Sequence, residues 1–139
     1  MTPSFVIDAS VAITWCFQDE ITPTTQDLLN KLSRAKALAP AWWYVEIANV
    51  LALASRKGLL SMTEIDSFIA VLDSAGIEVD NEAPQRAFSH LLPLSRTHGL
   101  TSYDAMYLEL AVRRRLPLAT LDEPLRKAAK KLGVKLLGK

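Results

Sequence analysis

The feature that most constrains this chain is a recurrence of short apolar runs, each handing over almost at once to a stretch with helical spacing. Phe5, Val6 and Ile7 read as a buried strand, with Asp8 at its carboxyl end. Residues 37–40, 77–79, 117–121 and 134–137 repeat the pattern. Strands without polar alternation are covered on both faces, and parallel strands need crossovers of helical length. The chain is therefore predicted to be α/β, a three-layer α/β/α sandwich around a central, mostly parallel sheet of about five strands. Its 139 residues, half of them apolar, suit one compact domain over 1–139.

The intervening helices carry their own punctuation. Ser10 is placed to cap a short helix to about residue 17, and Thr22 and Pro23 open another that carries Leu28, Leu29 and Leu32 on one face. A long helix over 42–57 bears Glu46 and stops at Gly58. Ser61 and Glu64 form a capping box ahead of Ile65, Phe68, Ile69 and Leu72. Residues 83–98 are helical by spacing, but Pro93 removes a backbone donor and should kink or split them. Thr101 or Ser102 caps a helix over 103–114 that is apolar nearly all round and so predicted to be buried. Asp122 caps a last amphipathic helix to about residue 132.

Composition narrows the function classes. Cys16 is the only cysteine, which excludes an internal disulfide framework and a cysteine-cluster zinc site; Ile13, Trp15 and Phe17 around it point to packing. No apolar run nears the ~20 residues that span a bilayer, and the start lacks a basic, apolar leader, so a soluble cytoplasmic protein with no membrane association is expected. The net charge of +1 is uneven: residues 1–112 hold 7 Lys and Arg against 13 Asp and Glu, and residues 113–139 hold 9 against 2. A basic segment on an acidic body suits a protein that handles a polyanion beside a cation site.

In open α/β sheets ligands gather at the carboxyl ends of the strands, where Asp8 and Asp122 both fall. Each acid has an ordinary role when taken alone: Asp8 in a turn, Asp104 in a first helical turn, Asp122 as an N-cap. Glu46 is harder to explain so, because Trp42, Trp43 and Val50 on neighbouring turns surround it with apolar groups. Acidic groups drawn into one partly buried site repel one another unless a cation sits between them, and Mg²⁺ or Mn²⁺ resolves that conflict while leaving positions for water and a phosphate oxygen. His90 lies within a helical run and His98 beside Gly99, so neither is expected as a ligand or a general base. A phosphotransferase with an N-terminal aspartate nucleophile would want a second acid where Ser10 stands, and a receiver-like signalling module would want paired acids after the first strand; neither pattern is present.

Four segments together resemble the PIN-domain nucleases, and more closely the VapC toxins of toxin–antitoxin pairs. Phe5-Val6-Ile7-Asp8-Ala9-Ser10 is similar to the family's opening strand and first acid, with Ser10 as its hydrogen-bonding neighbour. Glu46-Ile47-Ala48-Asn49-Val50-Leu51 resembles the segment of the second acid, with Asn49 in support. The stretch from Gly99 to Leu108 is the most specific and supplies Asp104 as the third; Ala119-Thr120-Leu121-Asp122 supplies the fourth, preceded by the hydroxyl of Thr120. The resemblance implies a Mg²⁺- or Mn²⁺-dependent endoribonuclease with Asp8, Glu46, Asp104 and Asp122 as catalytic and metal-binding residues. It also implies a homodimer regulated by a small VapB-like antitoxin, or alternatively a catalytically silent PIN-fold scaffold that binds RNA or protein. Pro93 and the pair Glu123-Pro124 depart from the family's pattern. Arg113, Arg114 and Arg115, with Arg126, Lys127, Lys130 and Lys131, are the candidates for RNA phosphate contacts. Trp42 and Trp43 are expected at an interface.

Overall fold

The computed structural model describes residues 2–139. Five parallel strands form one sheet in the order β3-β2-β1-β4-β5: β1 (Pro3–Ile7), β2 (Lys36–Pro40), β3 (Ile77–Asp80), β4 (Leu118–Ala119) and β5 (Leu136–Leu137). The sheet is the middle layer of the predicted α/β sandwich. Val6 sits between Leu38 and Leu118, and Ile7 lies opposite Ala119. Phe5, Val6, Ile7, Ala37, Leu38 and Leu118 are fully buried, as strands covered on both faces must be. Each large side chain so enclosed stabilises the fold by roughly 1.5–3 kcal/mol relative to leaving it in water.

Helices supply the other layers: α1 (Ala9–Thr14), α2 (Pro23–Lys31), α3 (Trp42–Arg56), α4 (Met62–Ser74), α5 (Ala83–Arg86), α6 (Leu92–His98), α7 (Ser102–Arg114) and α8 (Glu123–Lys131). Their starts follow the chemistry read from the sequence. Thr22 caps α2 with Pro23 in its first turn, Ser61 and Glu64 close a reciprocal capping box on α4, Thr101 caps α7 and Asp122 caps α8. Gly99 ends α6 in the left-handed conformation at φ 64°.

Three expectations need correction, and the expected break at Pro93 takes a particular form. Asp8, not Ser10, caps α1, because the Ser10 hydroxyl turns back to the Asp8 carboxylate. That helix ends at Thr14, where the N–H groups of Trp15, Cys16 and Phe17 reach carbonyls only three residues back and tighten the chain. The break at Pro93 is a widened turn over Ala87–Leu91: Leu92 donates to the carbonyl of Ala87, five residues back, as in a π-helix. Pro93 has no N–H for a normal helical bond there. Finally, β4 and β5 are two residues each, shorter than the apolar runs over 117–121 and 134–137 that contain them.

Candidate active site

The chain runs from β1 outward to β2 and β3, then returns to β4 on the other side of β1, so the topological switch point lies between the carboxyl ends of β1 and β4. Asp8 leaves β1 there and Thr120, Leu121 and Asp122 leave β4. The Asp8 carboxylate is 5% exposed and is held from both sides. Ser10 Oγ donates to its Oδ1 at 2.6 Å, the Val11 N–H to the same oxygen at 3.3 Å, and Thr120 Oγ1 to its Oδ2 at 2.5 Å. The two hydroxyls also stitch the loops together: Ser10 Oγ accepts from the Leu121 N–H at 2.9 Å and Thr120 Oγ1 from the Asp122 N–H at 3.0 Å. Burial pushes the Asp8 carboxyl up to about 6 against these donors, and the charge of Asp122 adds to the rise.

The other acids come from three helices. Glu46, in the second turn of α3, accepts from Tyr107 Oη at 2.7 Å. Asp104 lies in the first turn of α7, its N–H donating to Thr101 Oγ1, and Asp122 caps α8 by accepting from the Leu125 N–H. Glu46 and Asp104 are both raised above their ordinary range, first by burial; Asp8 and Asp104 push on Glu46, and Asp122 pushes on Asp104. Burial and the neighbouring acids Glu46, Asp8 and Asp104 likewise raise Tyr107. The four carboxylates therefore share one electrostatic environment, and each proton bound there relieves mutual repulsion.

Among the described residues, no three His, Cys, Asp or Glu side chains close into a ready-made metal cage. The donor chemistry nonetheless fits a hard divalent cation. The ligands on offer are carboxylate oxygens, and Mg²⁺ is usually held by one or two carboxylates with several waters retained, not by an all-protein cage.

The profile of the PIN domain family matches residues 5–131. This chain belongs to that family. No curated protein matches it significantly. Among solved structures it resembles the crystal structure of PAE2754 from Pyrobaculum aerophilum, with a TM-score of 0.70 at 21% identity, over 96% of this chain and 83% of the other. At that identity the likeness speaks for the fold alone. Membership of the PIN domain family puts the chain in a nuclease superfamily whose members typically use divalent metal ions.

The remaining sequence candidates are scattered around this PIN domain. Asn49 is exposed on α3, three residues beyond Glu46. Arg113 is engaged internally: its guanidinium donates to both oxygens of Asp80, to Glu82 and to Glu109, and Glu109 is also paired with Arg86. Arg114 stands 4.0 Å from Glu78, and Arg115 ends α7 in the left-handed conformation, ahead of the amino end of β4 and away from the carboxylates. Arg126 Nη1 donates to the carbonyls of Thr120 and Leu137 at 2.7 and 3.0 Å, so it props the loop that carries Thr120. Gly138 serves the same junction. It has φ 112°, and a Cβ there would stand 3.0 Å from the Thr120 carbonyl oxygen. Lys127, Lys130 and Lys131 remain at the surface, bordering a cavity of about 630 Å³ shared with Thr97 and His98. Trp43 is fully buried, whereas Trp42 is 40% exposed and stacks on Tyr103.

Sequence reasoning did not single out Tyr107 or Glu109. Tyr107 could have been found, since i and i+3 share a helix face and it therefore follows Asp104 onto the same side of α7. Glu109 is 5% exposed within an otherwise apolar run, and only its i+4 partner Arg113 hinted at its role.

Proposed function

We propose that this PIN domain, spanning residues 1–139, is a Mg²⁺- or Mn²⁺-dependent endoribonuclease of VapC type that hydrolyses RNA phosphodiester bonds. Asp8, Glu46, Asp104 and Asp122 are its catalytic and metal-binding residues, with Ser10 and Thr120 in support. The single observation that carries the reading is that four carboxylates from four segments lie near enough to repel one another, with the proton affinity of Asp8, Glu46 and Asp104 raised. A fold gains nothing by concentrating like charges in a half-buried place, so such a cluster marks a site built for a cation and its substrate.

When bound, a hard divalent ion supplies Lewis acidity, lowers the pKa of a bound water and offsets the charge of the phosphate. The protein's share is positioning. Ser10 and Thr120 orient both oxygens of Asp8, and Tyr107 fixes Glu46 through its hydroxyl. Asp104 is carried in the first turn of α7, and Asp122 stands at the N-cap of α8, where the Leu125 N–H fixes its carboxylate. Lys127, Lys130 and Lys131 lie on α8, which Asp122 caps, and give an RNA backbone a cationic edge on the same helix.

The VapC assignment brings a homodimer, a small VapB-like antitoxin and a cytoplasmic setting. Leu53, Leu59, Met62 and Ile69 are exposed apolar side chains on α3, α4 and the turn between them, which supports a protein partner there. Among the described residues no helix is long and apolar enough to cross a membrane.

The test is cleavage of a mixed RNA pool with Mg²⁺, with Mn²⁺ and with excess chelator, comparing wild type and identically purified Asp104→Asn. Metal-dependent cutting that the variant loses is the expected result. Equal cutting by both proteins, or cutting that survives the chelator, refutes the reading.

A further inference from the structure

Beside the carboxylates lies a second feature that hydrolysis does not use. An apolar cavity of about 360 Å³ opens among the end of β3, the start of α3 and the first turns of α7, with Trp42, Pro84, Leu91, Tyr103 and Met106 among its walls. Trp42 and Tyr103 are stacked, with ring centroids 5.3 Å apart and an interplanar angle of 17°, yet they remain 40% and 55% exposed. Tyr103 immediately precedes Asp104, and Trp42 stands one helical turn before Glu46. Two acids of the proposed site are thus carried on the same two helices as the rings, within one turn of them.

We infer that the Trp42–Tyr103 pair is a stacking platform for one unpaired nucleobase next to the scissile phosphate, and so a determinant of where single-stranded RNA is cut. This rests on the ribonuclease reading above and deepens it. Three observations select a base as the occupant. The cavity is of small-ligand size, enough for flat rings but not for a helix face. No lysine or arginine lines it and Asp80 stands at its rim, so a phosphate or an acidic peptide would meet no countercharge. Asn81 and Ser102 stand exposed at the same rim, where an amide and a hydroxyl can read the edge of a stacked ring. Asp80 itself is occupied by Arg113. Stacking on an aromatic face tolerates any base, while the polar rim discriminates among them.

The experiment uses the full chain and a random single-stranded RNA pool in Mg²⁺, with the cut ends sequenced and kcat and KM measured. Tyr103→Leu removes the π face but keeps the cavity wall apolar, and Tyr103→Phe restores the face. The expected result for Tyr103→Leu is a fall in kcat/KM of about 5- to 100-fold, carried mainly by KM, with a flattened base preference at one position beside the cut. Tyr103→Phe stays within about 2-fold of wild type, and neither variant unfolds at a lower temperature, since Tyr103 is half exposed. Unchanged preference and unchanged kcat/KM in Tyr103→Leu overturn the platform and leave the ribonuclease reading intact. Loss of activity that tracks conversion of a dimer to monomers in sedimentation also overturns it, by making this face a contact between copies. A wild-type protein that cuts no RNA removes the ribonuclease reading and the platform with it.

Discussion

Asp8→Asn should make the metal-free protein more stable at neutral pH while abolishing cleavage. Burial raises the Asp8 carboxyl from its ordinary 3.8 to about 6, despite donors from Ser10, Thr120 and Val11. Above pH 6 the folded protein therefore holds a charge it would sooner neutralise. A gap of about two pKa units corresponds to about 3 kcal/mol. The sign follows from proton counts: between pH 3.8 and 6 the folded state binds more protons than the unfolded one, so stability falls as pH rises through that window and stays low above it. Asparagine is neutral throughout and keeps a carbonyl oxygen for one hydroxyl, but its amide only donates, so the other hydroxyl must turn its proton elsewhere, which offsets part of the gain. In urea denaturation with chelator, the variant should exceed wild type by up to about 3 kcal/mol at pH 7.5, and the two should converge near pH 4. Added Mg²⁺ should reverse the order by stabilising wild type, because ligand that binds only the folded state adds to its stability. Wild type more stable than Asp8→Asn in chelator at pH 7.5 would show that Asp8 is satisfied without a cation.

Three further outcomes follow from the geometry. Tyr107→Phe removes the donor that holds Glu46 down, so the acid limb of the pH–rate profile should move to higher pH, with a loss of about 10- to 100-fold in metal affinity or kcat/KM; an unmoved limb with full activity refutes a positioning role. Arg113→Met leaves Asp80 and Glu109, both nearly buried, short of their shared countercharge and should cost about 3–5 kcal/mol in chemical denaturation; a cost below about 1 kcal/mol would mark the cluster as no better than a surface ion pair. Gly138→Ala places a methyl 3.0 Å from the Thr120 carbonyl oxygen at a φ unsuited to alanine, so it should lower stability by about 1–3 kcal/mol and reduce kcat/KM through the displaced Thr120; unchanged melting temperature and kinetics would speak against that coupling.

The fold was legible because its signals are local, and so was the placing of the four acids at strand ends and in helices. A strand buried on both faces announces itself by an unbroken apolar run, and a helix start by the oxygen of Thr22, Ser61, Thr101 or Asp122 two or three residues before the N–H it serves. Pro93 told that a helix would be disturbed, because a missing N–H is a property of one residue; whether the backbone would bend or widen depends on what packs against it, and it widened. Asp8 could be placed at a strand end, but not its pairing with Thr120, 112 residues away, which is what buries and orients it. Hydrogen bonds over such separations are made by topology, which neighbouring residues do not encode.

The same distinction changes what the basic tail means. Residues 113–139 carry 9 Lys and Arg against 2 Asp and Glu, a ratio that by counting alone offers every cation to RNA. The structure divides them. Arg113 neutralises acids brought to it from β3 and the segment after it, and Arg126 holds two backbone carbonyls beside the carboxylate cluster. Both guanidiniums have the fork geometry that suits such bonds, whereas Lys127, Lys130 and Lys131 keep single, mobile charges at the surface of α8. Arg113 and Arg126 organise the protein, and Lys127, Lys130 and Lys131 are the cations that the proposed RNA contact would use. The salt dependence of RNA binding should therefore weaken by about one unit of slope for each of those lysines replaced, and not for Arg113.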